Sequence, residues 1–193
     1  VKTQVITVRG PSGTFTYGDI TGCKPLTVNF VATTQDQTSF IWDFNDGTTI
    51  PTPDSVISHT YTIPGIYVPK MILKDAAGCT VPINGPDTIV VSGVTAQFTA
   101  DTLLRCGNGS VVFTNGTQSN DVITGYLWDF GDGNTSTDVS PTHFYAAEGL
   151  YQPKLYANTQ MGCTDSLVTT VPVKVVKIPQ ISVTQSANGC IPL

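Results

Sequence analysis

Two copies of one aromatic and acidic hexapeptide constrain the fold of this chain more than any other feature. Residues 42–47 read WDFNDG and residues 128–133 read WDFGDG. In each copy the Trp and the Phe are two positions apart, so they point to the same face of a strand, while the aspartate between them points to the other. The Asp-Gly pair that follows supplies the carboxylate and the positive φ that a tight turn requires. The repetition therefore predicts a tandem array of one small β module.

The residues after each hexapeptide repeat as well, first as a His-x-Tyr step and then as a Gly-x-Tyr step. No helical periodicity of useful length is present, and turn signals separate about seven short strands in each module. This pattern predicts an all-β chain of tandem immunoglobulin-like antiparallel β-sandwiches, with residues 48–55 as a loop. The residues predicted to form the core and the turns are Trp42, Asp43, Phe44, Asp46, Gly47, His59, Tyr61, Gly65, Tyr67, Trp128, Asp129, Phe130, Asp132, Gly133, His143, Tyr145, Gly149 and Tyr151.

The repeat also predicts the domain boundaries. We expect a lead-in strand or the end of a preceding module over residues 1–9, module 1 over 10–91, module 2 over 92–176, and the start of a truncated third module over 177–193. The third start is indicated by residues 189–193 (GCIPL), which repeat residues 22–26 (GCKPL). We therefore expect neighbouring modules of the same chain to be its first partners.

Charge narrows the classes of partner. Only 12% of the residues are charged, the net charge is −5 and the pI is about 4.6. Such a surface repels phosphate backbones, so we expect no nucleic-acid partner. No apolar run reaches the length of a transmembrane helix, so we expect no direct membrane insertion, and we expect a monomer.

The cysteines indicate the compartment. Cys23 and Cys79 occupy the same places in module 1 as Cys106 and Cys163 in module 2, and neither pair has the spacing of a zinc or redox site. One disulfide per module, Cys23–Cys79 and Cys106–Cys163, is the economical prediction and implies an oxidising, extracellular setting. Pairing between modules, such as Cys79 with Cys106, is the alternative, because sequence does not fix connectivity. Cys190 is left over and is expected to pair outside this sequence.

The combined motif resembles the PKD (polycystic kidney disease) domain. The resemblance covers nearly the whole chain and implies an immunoglobulin-like sandwich of the kind used in adhesins, surface-layer proteins and secreted hydrolases. Asn45 stands where this family usually has Gly, and Ala147-Glu148 replaces the usual Pro before Gly149. The Gly-Cys signatures are further similar to PKD modules of large surface proteins from gliding Bacteroidetes, including gliding adhesins.

Nothing in the sequence forms a reaction centre. His59 and His143 are the only histidines and stand at equivalent positions, which favours a structural role, and no Ser-His-Asp or Cys-His set accompanies them. We therefore predict no enzyme activity, no metal site and no cofactor. Calcium is the alternative, held by Asp43 and Asp46 or by Asp129, Asp132 and Asp138, although calcium requires six to eight oxygens.

The function expected from the sequence is that of non-catalytic extracellular spacer or adhesive modules in a large cell-surface protein, outer-membrane-associated or secreted. Surface glycans or proteins are the expected ligands, and Tyr17, Tyr126 and Tyr156 are candidates for stacking on sugars. The alternative is a pair of accessory modules in a secreted hydrolase, which would help to bind polysaccharide or protein near a catalytic domain.

Overall fold

The computed structural model describes residues 10–107, 109–178 and 181–182. Within these ranges the regular elements are all β-strands, numbered β1 to β22. The all-β prediction of immunoglobulin-like sandwiches is therefore confirmed. The strand expected within residues 1–9, Cys190 and most of the expected third module lie outside the described residues.

Module 1 is built from ten strands in three sheets. One sheet has the order β1-β3-β6, a second β5-β4-β8-β9, and in the third β10 lies between β2, which is parallel to it, and the antiparallel β7. The strands are β1 (Ser12–Tyr17), β2 (Thr21–Cys23), β3 (Leu26–Gln35), β4 (Ser39–Asp43), β5 (Thr49–Thr52), β6 (Val56–Tyr61), β7 (Gly65–Tyr67), β8 (Lys70–Lys74), β9 (Thr80–Asn84) and β10 (Ile89–Ser92).

Module 2 repeats this plan. Its sheets have the orders β12-β14-β18, β17-β16-β20-β21 and β13-β22-β19, and a short β11-β15 ladder is added. The strands are β11 (Val94–Thr95), β12 (Phe98–Ala100), β13 (Leu104–Cys106), β14 (Gly109–Asn115), β15 (Gln118–Ser119), β16 (Ile123–Asp129), β17 (Thr135–Ser136), β18 (Thr142–Tyr145), β19 (Gly149–Tyr151), β20 (Lys154–Thr159), β21 (Thr164–Val168) and β22 (Val173–Val176).

Alternation of apolar and polar residues explains which face of each strand is buried. In β3, Val28, Phe30 and Ala32 are buried, and the residues between them are exposed. The aromatic residues of the hexapeptides lie in the same cores, because Trp42, Phe44, Trp128 and Phe130 are all buried. Each module therefore has its own aromatic core.

The loop predicted over residues 48–55 contains a strand. β5 pairs with β4 alone, so it is the edge of its sheet. Pro51 lies within β5, and an edge is where a strand tolerates a proline, because one side of its backbone needs no ladder partner. The polar, proline-containing composition of this segment suggested a loop but is equally compatible with a short edge strand.

By compactness the chain divides into two units whose limits differ from the predicted modules. The first unit consists of the described residues within Val1–Ala96, Thr117–Gly125 and Tyr156–Ser166. The second unit consists of the other described residues. Three segments that belong to module 2 in sequence, residues 92–96, 117–125 and 156–166, are thus part of the first unit. The β11-β15 ladder lies wholly within that unit, where Val94 pairs with Ser119.

The predicted disulfide pairing is wrong. Cys23 is bonded to Cys163, with a Cα–Cα distance of 5.4 Å, and Cys79 and Cys106 are exposed free thiols. The bond therefore joins cysteines of different modules, although the pair differs from the alternative of Cys79 with Cys106. Both bonded residues belong to the first unit, because that unit includes Tyr156–Ser166.

The geometry of module 1 explains why its own two cysteines do not pair. Cys23 is the register partner of Ser92, one residue past the pairing of Val91 with Gly65, where β7 begins. Cys79 follows the far end of β8, so the length of the β7–β8 stretch separates the two. At about 3.3 Å per residue the ten residues from Gly65 to Lys74 would span about 30 Å if extended, whereas a disulfide requires Cα atoms within about 7 Å.

Candidate functional site

The second aspartate of the first hexapeptide organises a turn and a histidine. One oxygen of the Asp46 carboxylate, Oδ1, accepts a hydrogen bond from the Thr48 backbone N–H at 2.9 Å. The other, Oδ2, lies 2.7 Å from Nε2 of His59. Both side chains are largely buried, with exposed fractions of 14% for Asp46 and 11% for His59. The turn after β4 is thereby tied to strand β6.

His59 is also held by aromatic rings on both sides. Its imidazole stacks on Phe44 with ring centroids 3.9 Å apart and planes 3° apart, and it meets Tyr61 edge-on at 4.7 Å. The buried Tyr61 hydroxyl donates to the Phe44 carbonyl at 3.1 Å. Both His59 Nε2 and the Tyr61 hydroxyl therefore have hydrogen-bond partners within the protein.

The Gly-x-Tyr step closes the same cluster. Tyr67 stacks on Tyr61 at 4.6 Å and its hydroxyl donates to the Ile63 carbonyl at 2.7 Å. A side chain at Gly65 would lie 3.0 Å from the Tyr67 ring, so glycine leaves the space that the ring fills. The spacing of the motif therefore has a packing cause.

Module 2 contains the same network. His143 lies 2.8 Å from Asp132 Oδ2 and stacks on Phe130 at 3.9 Å. The Tyr145 hydroxyl donates to the Phe130 carbonyl at 3.0 Å, and the Tyr151 hydroxyl donates to the Ala147 carbonyl at 2.9 Å. That last bond uses a backbone acceptor, which explains why the substitution of the usual Pro by Ala147-Glu148 is tolerated.

The other departure from the PKD pattern is explained by backbone conformation. Asn45 adopts φ = 61° and its counterpart Gly131 adopts φ = 81°. Asparagine is among the few residues that enter this left-handed region readily. The Asn45 backbone N–H donates to Asp43 Oδ1 at 2.9 Å, and the Gly131 N–H donates to Asp129 in the same way.

Each buried indole has a backbone acceptor in the loop after its hexapeptide. Trp42 Nε1 donates to the Asp54 carbonyl at 3.5 Å, and Trp128 Nε1 donates to the Asp138 carbonyl at 2.9 Å. The Asp138 side chain is bonded to Ser136, so it serves this loop. The loops that satisfy the indoles thus occupy equivalent places in the two modules.

Burial and hydrogen bonding shift several pKa values in the network. Burial raises the pKa of Asp46, but hydrogen bonds from His59 and Thr48 outweigh it, so the pKa lies below its usual value. The pKa of Asp132 is lowered in the same way by His143 and Asn134 against the effect of burial. Both carboxylates are therefore held ionised by the folded structure.

The tyrosines of the network shift in the other direction. Burial raises the pKa of Tyr61, with the nearby Asp46 carboxylate adding to the effect. Burial likewise raises the pKa of Tyr145, with Asp132 adding to it. The phenols therefore remain protonated donors to the carbonyls beneath them.

The acidic turns do not form an evident metal site. In the ranges the structure describes, no group of three or more His, Cys, Asp or Glu residues is arranged to hold a metal ion. One oxygen of each hexapeptide aspartate accepts a backbone N–H. Calcium at these turns stays an alternative prediction.

The tyrosines proposed to stack on sugars are partly buried, and two of them, Tyr17 and Tyr126, pack against the module cores. Tyr17 packs on Phe15 and Phe30, and its hydroxyl donates to the Asp87 carbonyl. Tyr126 and Tyr156 are half-buried, and Tyr126 packs against the core of module 2. Sugar binding by these residues stays a prediction.

A second constellation, which the sequence analysis missed, surrounds the disulfide in the first unit. Asn120 accepts the Gly93 N–H at 2.9 Å and donates to the Val91 carbonyl at 3.0 Å. The hydroxyl of the buried Ser92 donates to Met161 Sδ at 3.0 Å. A side chain at position 93 would approach Pro64 to 2.7 Å, so Gly93 permits this close approach.

Two carboxylates complete this constellation. Asp121 Oδ2 accepts the Met161 N–H and Asp165 Oδ2 accepts the Ala96 N–H, both at 2.8 Å. The module 1 residues at the places of Met161 and Asp165, counted from the turn cysteines, are Ala77 and Val81. This difference between otherwise matching turns is the one sequence signal that could have identified the constellation.

No helix in the described part of the chain is long and apolar enough to cross a membrane.

Two sandwiches with the same aromatic core and the same internally satisfied Asp-His-Tyr network define a class of structural, non-catalytic immunoglobulin-like module. The family model of the PKD domain matches residues 11–91 and 83–175. The chain belongs to the PKD domain family. The prediction that it is not an enzyme is confirmed, because PKD domains are non-catalytic accessory modules and the family model matches both halves of the chain.

Curated relatives include collagenases from Bacillus and Vibrio. The chain is 40% identical over 97 residues to Collagenase ColQ1 of Bacillus cereus (strain Q1), which is 49% of this chain and 8% of the relative. It is also 40% identical over 87 residues to Microbial collagenase of Vibrio alginolyticus, which is 44% of this chain and 11% of that relative. The chain thus spans about a tenth of the length of these relatives.

Solved structures of single PKD domains are also similar. The PKD1 domain of the Vibrio cholerae metalloprotease PrtV is 34% identical over 42% of this chain and 98% of that one, with a TM-score of 0.38. The PKD1 domain of Vibrio anguillarum Epp is 30% identical over 43% and 95%, also with a TM-score of 0.38. Membership of a gliding adhesin from Bacteroidetes stays a prediction.

Proposed function

We propose that this chain is a pair of extracellular accessory modules of a secreted protein-degrading enzyme, which hold a protein substrate near a catalytic domain elsewhere in that enzyme. The observation that carries the proposal is the 40% identity over 97 residues to a segment of a collagenase. The accessory function therefore takes precedence over the cell-surface spacer function expected from the sequence.

The chemistry of the chain supports an extracellular location. Cys23 and Cys163 form a disulfide, and disulfides persist mainly in oxidising compartments outside the cytosol. The histidines and hexapeptide aspartates are engaged in structural hydrogen bonds. The modules would therefore contribute binding and positioning, and the bond-breaking chemistry would belong to another domain.

The outer face of one sheet in the second unit is a candidate contact surface for protein. Phe144 on β18 is 51% exposed and Val112 on β14 is 42% exposed. The register pairs Phe144 with Ser110 and Val112 with Thr142, so the two apolar side chains lie diagonally on the same face. Exposed aromatic residues are enriched where proteins bind other proteins. Module 1 has Thr60 at the place of Phe144.

The proposal is tested by retention on insoluble substrates. The purified chain is mixed with fibrillar collagen, chitin or cellulose, and the bound and free fractions are measured after sedimentation. We expect retention on collagen alone, and several-fold weaker retention for Phe144→Thr, which installs the module 1 residue. The matched control is Ile66→Thr, since Ile66 is an exposed apolar residue on a different strand, β7. A chain that stays in the supernatant with collagen would contradict the proposal.

A second candidate function is that of a spacer or adhesive segment in a cell-surface protein. It is favoured by the bonds that fasten segments of module 2 to module 1 within the first unit. These are the Cys23–Cys163 disulfide and the hydrogen bond that the Asn120 amide donates to the Val91 carbonyl. Surface glycans or proteins would be its ligands. Immunogold labelling of intact source cells discriminates: label on the cell surface favours the spacer, and label confined to the medium favours the enzyme accessory.

A further inference from the structure

Among the described residues, the two free cysteines, Cys79 and Cys106, stand at positions equivalent to those of the bonded Cys163 and Cys23. We propose that Cys79 and Cys106 are disulfide sites for further PKD modules. Cys79 would bond the cysteine of another module that corresponds to Cys23, and Cys106 would bond the cysteine that corresponds to Cys163. The proposal does not depend on whether the modules serve a protease or a surface protein.

Cys106 is presented in the same way as Cys23. Cys23 is the last residue of β2, which is parallel to β10, and its register partner is Ser92. Cys106 is the last residue of β13, which is parallel to β22, and its register partner is Val176. The residue after each cysteine donates its N–H to that partner's carbonyl, at 2.8 Å for Lys24 and 2.6 Å for Gly107. The backbone therefore holds each thiol at the end of a parallel ladder, and the two ladders occupy equivalent places in the two modules.

Cys79 is presented in the same way as Cys163. The carbonyl of Cys163 accepts the Thr159 N–H at 2.9 Å, and the carbonyl of Cys79 accepts the Asp75 N–H at 3.1 Å. The reverse bonds also correspond, because the Cys163 N–H donates to the Thr159 hydroxyl and the Cys79 N–H donates to the Asp75 carboxylate. The glycine before each cysteine has a positive φ, 82° at Gly162 and 89° at Gly78.

The surface beside Cys106 is exposed where the surface beside Cys23 is covered. Val94, two residues past the partner of Cys23, is 1% exposed within the first unit. Ile178, two residues past the partner of Cys106, is 59% exposed, and Leu104 on the same strand as Cys106 is 57% exposed. An apolar surface around an exposed thiol is what a module with a turn like that of Cys163 would cover.

The partner is therefore a PKD module with the complementary cysteine, and a second copy of this chain provides a probe that carries both kinds. The bond forms when one thiolate attacks a small-molecule disulfide such as oxidised glutathione and the second thiol displaces the attached glutathione. Two thiols are oxidised, one disulfide is reduced, and two molecules of glutathione leave as thiols.

The experiment uses two single-thiol variants, each also carrying Cys190→Ser. The first has Cys79→Ser and keeps Cys106, and the second has Cys106→Ser and keeps Cys79. Each is incubated alone and in an equimolar mixture with oxidised and reduced glutathione, and the products are separated on non-reducing gels. Peptide mapping verifies in every sample that Cys23 and Cys163 remain bonded within one chain.

The proposal predicts that the mixture yields mainly the Cys79–Cys106 heterodimer and that either variant alone remains largely monomeric. Replacing Ile178 by Asp should reduce the heterodimer several-fold, since the partner would have to cover a charge at that position. Random pairing, in which the heterodimer is about half of the dimers and homodimers form as readily in each separate sample, would overturn the proposal. So would the absence of any heterodimer while Cys23–Cys163 is intact.

Discussion

At the scale of single residues, a few hydrogen bonds and ring contacts explain why the same hexapeptide occurs in both modules. The second aspartate of the first hexapeptide, Asp46, accepts a hydrogen bond within its own turn and also orients His59. The His59 ring in turn stacks on Phe44. The first aspartate binds only its own turn. The two aspartates should therefore differ in their importance for stability.

Replacing Asp46 by Asn tests this difference. The substitution removes the charged acceptor of a largely buried His59 and should lower the free energy of unfolding by about 1–3 kcal/mol. Urea unfolding followed by Trp fluorescence measures it. Asp43→Asn, at the first aspartate of the same hexapeptide, is the comparison and should have a smaller effect, because the oxygen of an Asn side chain can still accept the Asn45 N–H. An equal effect of both substitutions would contradict the structural role of Asp46.

The lowered pKa values of Asp46 and Asp132 predict a loss of stability in acid. A carboxyl whose pKa is lower in the folded than in the unfolded state stabilises the fold above the unfolded pKa, about 3.9 for Asp. This stabilisation is lost as the pH falls through the folded pKa. We expect urea midpoints to fall below about pH 5, and the fall to be shallower in Asp46→Asn/Asp132→Asn. Parallel curves for the variant and the parent would contradict this assignment.

At the scale of elements, most of the strands could be predicted and the connections between them could not. Alternation identified the buried face of β3, and the His-x-Tyr and Gly-x-Tyr steps identified β6 and β7. The edge strand β5 was missed because its pairing depends on a neighbour rather than on its own pattern. The disulfide was missed because each cysteine has an equivalent in the other module, so spacing permits several pairings.

The constellation around Cys163 was missed for a related reason. Asn120, Asp121 and Met161 act on residues 91–93 and on one another through loops, and loops carry no periodic signal. Only a comparison of the two turns, in which Ala77 corresponds to Met161, suggests a difference in role. The core and turn residues of each module could be predicted from the sequence, whereas the hydrogen bonds among them and the contacts between segments of the two modules could not.

Removal of the disulfide tests how these segments are held. Cys23→Ser/Cys163→Ser should destabilise the first unit by about 2–4 kcal/mol, and residues 156–166 should exchange their amide hydrogens faster. The matched control is Cys79→Ser/Cys106→Ser, which removes two exposed thiols and should leave both properties unchanged. Hydrogen exchange with mass spectrometry measures the segment, and urea unfolding measures the unit. Unchanged exchange in the first variant would show that the bond is dispensable for this arrangement.

At the scale of the whole molecule, the chain is a repetition of one structural device. Each module has an aromatic core, an Asp-His-Tyr network and two cysteine positions, and a bond connects a cysteine of one module to a cysteine of the other. A device of this kind suits a binding or spacing function, because the Asp, His and Tyr side chains of its network are hydrogen-bonded within the module.

Calcium is a whole-molecule question because both modules carry the same acidic turns. We expect the melting temperature to be the same in millimolar calcium and in excess chelator, since the hexapeptide aspartates already accept backbone N–H groups. A ligand that binds only the folded state raises the melting temperature. An increase of several degrees in calcium, lost in Asp43→Asn/Asp129→Asn, would instead establish a cation site.

The measurement that tests this account most directly is a disulfide map of the chain purified from an oxidising compartment. Digestion without reduction, followed by mass spectrometry, should yield one cross-linked pair of peptides containing Cys23 and Cys163, with Cys79 and Cys106 absent from that pair. This result would establish that the bond joins segments of two modules. Recovery of Cys23 bonded to Cys79, and of Cys106 bonded to Cys163, would contradict the account and make each module a separately closed unit.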